Sequence, residues 1–157
     1  MQHVSKLPNV GTTIFTVMSQ MANEYQAINL SQGYPDFNAP QPLLDLMQKY
    51  LNAGMNQYPP MTGVAYLRQQ IAAKVDKLYS CTVDSETEIT VTSGATEALF
   101  VAIQATIEAD DEVIVFDPVY DSYEPAIQLA GGRTIHIPLD DKFNINWNLV
   151  RAAVTSR

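Results

Sequence analysis

The sequence has one cysteine, Cys81, so no disulfide can form within the chain and its stability must come from packing. Positive charge is scarce. Nine Lys and Arg stand against 17 Asp and Glu, for a formal net charge of −8, and the basic residues form no run. Such a chain repels both a phosphate backbone and an anionic membrane surface, so neither nucleic acid nor membrane is expected as a partner. Long apolar runs are missing as well. The longest, near 100–107 and 113–116, are too short or too interrupted to span a bilayer. Residues 1–8 lack the apolar stretch of a secretory signal, and the expected location is cytoplasmic. His3, His136 and Cys81 are isolated from one another, which leaves no metal-ligand spacing. Neither a Gly-x-x-x-x-Gly-Lys-Ser/Thr loop nor a Gly-x-Gly-x-x-Gly fingerprint occurs, which excludes the common nucleotide and dinucleotide cradles.

What is present is an ordinary globular composition, 46% hydrophobic and 17% charged, in 157 residues. A helix is expected from Thr12 or Thr13, with Ile14, Phe15, Met18, Met21, Ala22 and Tyr25 at helical spacing. A second is expected over about 41–53, with Pro42 in its first turn, Leu43, Leu46, Met47, Tyr50 and Leu51 as its apolar face, and Gly54 as its stop. A third covers about 64–79. The pattern then alternates: strand 89–92, helix 96–107, strand 113–116, helix 123–130, strand 134–137, and a last helix through 154 with Asn146 as its cap. This order predicts an α/β fold, a mainly parallel sheet covered by helices. The chain is expected to divide near residue 50, into a helical arm over 1–50 and the start of an α/β domain over 51–157.

Four segments are able to carry chemistry. In Thr92-Ser93-Gly94-Ala95-Thr96-Glu97-Ala98-Leu99 a strand gives way to a helix through a glycine. The first amides of such a helix lack intrahelical acceptors and favour an anion, so one phosphate group would fit there. The plainer alternative is a βα turn capped by Thr96. In Asp117-Pro118-Val119-Tyr120-Asp121-Ser122-Tyr123, Tyr120 falls just beyond the carboxyl end of a strand, where ligands of open α/β sheets sit. It can stack on a flat heteroaromatic ring or simply cover the sheet end. Gly33, in Ser31-Gln32-Gly33-Tyr34-Pro35-Asp36-Phe37, offers a backbone N–H to a carboxylate or belongs to a plain Pro-Asp turn. Tyr58, in a Pro-rich loop, is a phosphate donor or a surface tyrosine.

In chain order, Asn29-Leu30-Ser31-Gln32-Gly33-Tyr34-Pro35-Asp36-Phe37, then Asn56-Gln57-Tyr58 with Gly63 and Leu67-Arg68, then the segment from Thr92 to Leu99 and then that from Asp117 to Tyr123, the series resembles the class I and II aminotransferases of pyridoxal-phosphate fold type I. Within that family it is similar to the bacterial methionine aminotransferase and kynurenine aminotransferase branch. The resemblance implies the cofactor pyridoxal 5′-phosphate, held at its phosphate by Gly94, Ala95 and Thr96 and stacked by Tyr120. It implies a homodimer, because Tyr58 matches the tyrosine that reaches the cofactor phosphate of the neighbouring subunit. Gly33 matches the backbone contact to the substrate carboxylate, and Phe15 an aromatic lining the substrate pocket. The substrates implied are an amino acid (methionine, aromatic or related) and a 2-oxo acid.

The family's Schiff-base lysine, with the aspartate and arginine that accompany it, has no counterpart among Lys6, Lys49, Lys74, Lys77, Lys142 and their neighbours, and is expected beyond Arg157. The chain is therefore expected to be an N-terminal part, inactive by itself, and no catalytic residue is assigned within it. Two other readings stand beside the transaminase. One is a fold type I carbon–sulfur lyase acting on cystathionine-like substrates. The other is a non-catalytic binding module, if the chain natively ends at Arg157.

Overall fold

The computed structural model describes residues 4–33 and 35–157; His3 and Tyr34 lie outside them. By its contacts the chain forms two compact units, Met1–Gln20 with Ser93–Arg157, and Met21–Thr92. Helix α1 (Ile14–Glu24) runs across the chain division. Thr13 caps it, its Oγ1 accepting from the Thr16 N–H at 3.3 Å.

The first unit holds α4 (Gly94–Thr106), β1 (Glu112–Asp117), α5 (Tyr123–Ala130), β2 (Arg133–Pro138) and α6 (Trp147–Ala153). β1 and β2 pair in parallel, in register from Glu112 opposite Arg133 to Asp117 opposite Pro138. Parallel neighbours need a crossover, and α5 provides it. The run Val113-Ile114-Val115-Phe116 in β1 is apolar on both faces, the pattern of a strand covered from both sides. Val115, Ala126, Ile127 and Ile137 form the buried core where α5 lies on the pair. Gly131 ends α5 with φ +90°, a conformation that favours glycine. Gly132 lets the chain turn back closely: a Cβ there would stand 2.7 Å from Ile107 Cγ2. Gln104 Nε2 donates to the Ala126 carbonyl at 2.9 Å and ties α4 to α5.

Asn146 caps α6, its Oδ1 accepting from the Asn148 N–H at 3.1 Å and the Leu149 N–H at 3.3 Å. Asn146→Ala should therefore cost about 1 kcal/mol, while Asn146→Asp should cost a few tenths at most. Thermal unfolding of the two variants checks this, and equal losses would count against the cap.

In the second unit α2 (Gln41–Asn52) has Pro42 in its first turn, and α3 (Ala65–Tyr79) ends at Ser80 in the left-handed region. The apolar faces expected on the first two helices do form. No residue of α1 or α2 is buried, so the described residues leave those faces open.

Two expectations about the elements need correction. The segment 89–92 is extended but is not a strand; the Val91 N–H donates to the Thr62 carbonyl at 3.0 Å, in a loop rather than a ladder. A strand requires a paired neighbour, and among the described residues the sheet consists of β1 and β2. The helix expected from residue 96 begins two residues earlier, at Gly94. Among the described residues, no helix is long and apolar enough to cross a membrane.

Candidate functional site

Because α4 begins at Gly94, Thr96 lies inside the first turn and does not cap the helix. Ser93 is the N-cap residue, without a side-chain cap bond; its backbone N–H instead donates to the Glu97 carboxylate. Gly94 has φ +85°, which an L side chain resists, and a Cβ built on it would meet nothing within 4 Å. The turn is thus open on the side of its glycine. The first-turn amides of a helix point out of its N-terminal end, and the helix dipole adds positive potential there.

Tyr120 is 42% exposed and follows β1 by three residues, after a cis Asp117–Pro118 bond. Hydrogen bonds from the Ser122 and Thr96 side chains to its phenol oxygen hold the Tyr120 pKa below the ordinary tyrosine value. Thr96 lines one hollow with Asp121 and Ser122, so two segments singled out in the sequence, the Gly94–Thr96 turn and the loop after β1, lie side by side. Tyr123 packs edge-on to Tyr120, with ring centres 5.6 Å apart and planes at 82°.

A cleft of about 450 Å³ opens along β1, between Leu99 and Ile103 of α4 and the Pro118–Tyr123 loop. It includes Tyr120 but not the glycine turn, and its walls are almost wholly apolar. It lacks the donors an anion needs. The cleft therefore reads as packing surface beside β1.

Phe15 is on α1 and 38% exposed. Gly33 and Tyr58 belong to the second unit, and Tyr58 is fully exposed. The loop that carries Tyr58 is braced at its far end. Gly63 has φ +96°, and a Cβ there would lie 2.7 Å from the Val91 side chain. Its carbonyl accepts from Arg68 Nε at 3.3 Å. Arg68 is 5% exposed; it also donates to the Ser85 carbonyl and pairs with Glu86 at 3.2 Å.

Sequence reasoning missed this role of Arg68, because an arginine amid helical spacing reads as solvated. It also passed over His136. His136 Nδ1 lies 2.9 Å and 3.1 Å from the two oxygens of Asp117, and Nε2 lies 3.9 Å from Glu124 Oε1. The strand register carries the signal. His136 is opposite Val115, so Asp117, two residues on, is its diagonal neighbour on the same face.

Residues 25–157 match the family of class I and II aminotransferases, and the chain belongs to that family. It is 51% identical to the methionine aminotransferase of Escherichia coli over 154 residues, which are 98% of this chain and 40% of that one. It is 41% identical over 157 residues to a probable N-succinyldiaminopimelate aminotransferase of Mycobacterium tuberculosis, again 98% of this chain and 40% of that one. The crystal structure of YbdL from Escherichia coli, identified as having a methionine aminotransferase function, superposes with TM-score 0.94 at 49% identity, covering 100% of this chain and 41% of that one. The N-succinyldiaminopimelate aminotransferase of Mycobacterium tuberculosis superposes with TM-score 0.90 at 40% identity, over 98% of this chain and 41% of that one. The fold is the α/β fold of pyridoxal-phosphate fold type I, present as a partial, N-terminal portion.

Members of this family are in general pyridoxal-phosphate-dependent. The turn at Gly94 suits such a cofactor's phosphate: the glycine leaves open space where a side chain would project, and first-turn amides stand beside it. Glu97 is held by the Ser93 N–H.

Proposed function

We infer that this chain is the N-terminal part of a pyridoxal-phosphate-dependent transaminase that exchanges an amino group between methionine, an aromatic or a related amino acid and a 2-oxo acid. The nearness of Thr96 to the loop of Tyr120, Asp121 and Ser122 carries the reading, since a ring able to stack on a pyridine then stands beside a turn able to hold a phosphate. The identity to a methionine aminotransferase supports the choice of substrate. In the complete enzyme, residues 1–50 form the arm and a small-domain segment, and 51–157 the first part of the cofactor-binding domain. It works as a cytoplasmic homodimer.

The bound cofactor supplies the electron sink for amino transfer. The chain's own residues do the holding. The backbone N–H groups of Gly94, Ala95 and Thr96 donate to the phosphate, and the Tyr120 ring covers one face of the pyridine. Tyr58 donates its hydroxyl proton to the phosphate in the partner subunit. The Gly33 N–H binds the substrate carboxylate, and Phe15 lines the pocket for the substrate side chain. The proton-carrying lysine belongs to residues beyond Arg157, so the 157-residue chain alone is inactive.

Pyridoxamine 5′-phosphate is the useful probe, because without an aldehyde it does not react with surface lysines. The chain should bind it at least about tenfold more tightly than pyridoxamine, a gap of about 1.4 kcal/mol from the phosphate. Tyr120→Ala should weaken it by about tenfold. Equal affinity for the two ligands would sink the phosphate site. Robust transamination of methionine by the 157-residue chain would overturn the placement of the lysine. Release of pyruvate and ammonia from cystathionine by the complete protein, without amino exchange, would make it a lyase.

A further inference from the structure

The segment from Asp117 to Glu124 leaves the end of β1, carries Tyr120 and enters α5. The Leu139 N–H donates to the Asp117 carbonyl at 3.1 Å, and Tyr120 packs edge-on against Tyr123. The Tyr123 N–H donates to the Tyr120 carbonyl at 3.1 Å. Both ends of the segment converge on one side chain of the neighbouring strand. His136 Nδ1 approaches the two Asp117 oxygens at 2.9 Å and 3.1 Å, while Nε2 faces Glu124 at 3.9 Å. The two ring nitrogens therefore span the base of the segment. We propose that His136 is a positioning residue, which ties Asp117 to Glu124 and so holds Tyr120 against the Gly94–Thr96 turn. The consequence for ligand binding rests on Tyr120 being the ring contact argued above; the tie itself does not.

The charged groups around His136 are all of one sign. Asp117 comes from β1 and Glu124 from α5. Arg133, on β2 itself, is engaged with Glu112 at the opposite end of the strands. On α6, which packs on β2, Arg151 donates to Asn148 at 3.4 Å. The hydrogen bond to Asp117, and then the charges of Asp117 and Glu124, raise the His136 pKa above the ordinary histidine value. The sign follows. Since the folded value is raised, the tie is complete below about pH 6.5 and is lost as pH climbs through the raised value. The neutral ring can keep one N–H on Asp117, so the hold on Glu124 is the part released.

The test is amide hydrogen exchange of the 157-residue protein, followed residue by residue across pH 5.5–8.5 and corrected for the intrinsic rate. In the wild type, protection of the Tyr123 amide should fall by roughly threefold as His136 loses its proton. His136→Asn should show the lowered protection throughout, with no step. His136→Lys, permanently charged at these pH values, should keep protection high with no step. The Val91 amide, in the other unit, reports general loosening and should not respond to either variant. A His136→Asn profile that matches the wild type overturns the proposal. So does a loss of protection at Tyr123 and Val91 together, which would make His136 a contributor to overall stability only. Pyridoxamine 5′-phosphate affinity, measured over the same pH range, separates the two claims. A matching step in affinity supports both. Affinity without a step, beside an exchange profile that has one, upholds the tie and removes Tyr120 from the binding site.

Discussion

Arg68→Ala should lower the stability of the protein by about 3 kcal/mol, from the stranded carbonyls and the void left by the side chain. Arg68 is 5% exposed, and its guanidinium serves three acceptors: the carbonyls of Gly63 and Ser85 and the Glu86 carboxylate. Truncation leaves the buried Gly63 carbonyl without its donor and opens a void under α3. The Glu86 pair contributes the least, because Glu86 is 63% exposed and water can take over its solvation. Glu86→Gln should therefore cost less than about 1 kcal/mol. Arg68→Lys should recover only part of the loss, since one ammonium cannot reproduce a planar fork that reaches three acceptors. Chemical denaturation of the three variants, read at constant m-value, gives the order directly. An Arg68→Ala variant as stable as the wild type would mean that the loop holds itself. The consequence extends to Tyr58, which the loop braced at Gly63 presents.

The same residue shows why some of this molecule was legible in sequence and some was not. Helices and strands follow from period, and the periods here are clean. The helix expected over 123–130 is α5 residue for residue, closed by the glycine pair that the sequence marks as its stop. Asn146 and Pro42 also sit where local chemistry puts them. These are short-range effects, decided within one turn of chain. The start of α4 was misplaced by two residues because Thr96 looks like a cap, whereas Glu97 reaches back to the Ser93 N–H and lets the helix begin at the glycine. The extended stretch 89–92 looks like a strand by composition, but strand formation depends on a neighbour and not on the residues themselves. Arg68 and His136 were invisible for a related reason. Their partners lie 17 to 19 residues away (Ser85, Glu86 and Asp117), and only the register and the loop path bring them together. The candidate site was half legible. A turn and an aromatic can each be named from sequence, but that Thr96 lies beside the loop after β1 is a property of the fold.

The strongest effect on ligand binding is expected from Gly94→Asp. The glycine has φ +85° and open space where a Cβ would project, so the backbone, not packing, limits substitution. Aspartate and asparagine tolerate the left-handed region better than other side chains, and both should fold at a cost of about 1 kcal/mol. Their charges differ. The aspartate would hold a carboxylate at the helix end where the phosphate is proposed to bind, and Glu97 already places one negative charge there. Two unit charges about 4 Å apart near a protein surface repel by about 4 kcal/mol. Even after screening, Gly94→Asp should weaken pyridoxamine 5′-phosphate by at least about 100-fold. Gly94→Asn asks the same of the backbone and adds no charge, so it should retain most of the affinity. Unphosphorylated pyridoxamine should scarcely distinguish the two variants. Raising the salt concentration should narrow the gap between them for the phosphorylated ligand alone, because exposed charges are screened. If Gly94→Asp and Gly94→Asn weaken binding equally, the loss is one of backbone shape, and the anion is not bound at this turn.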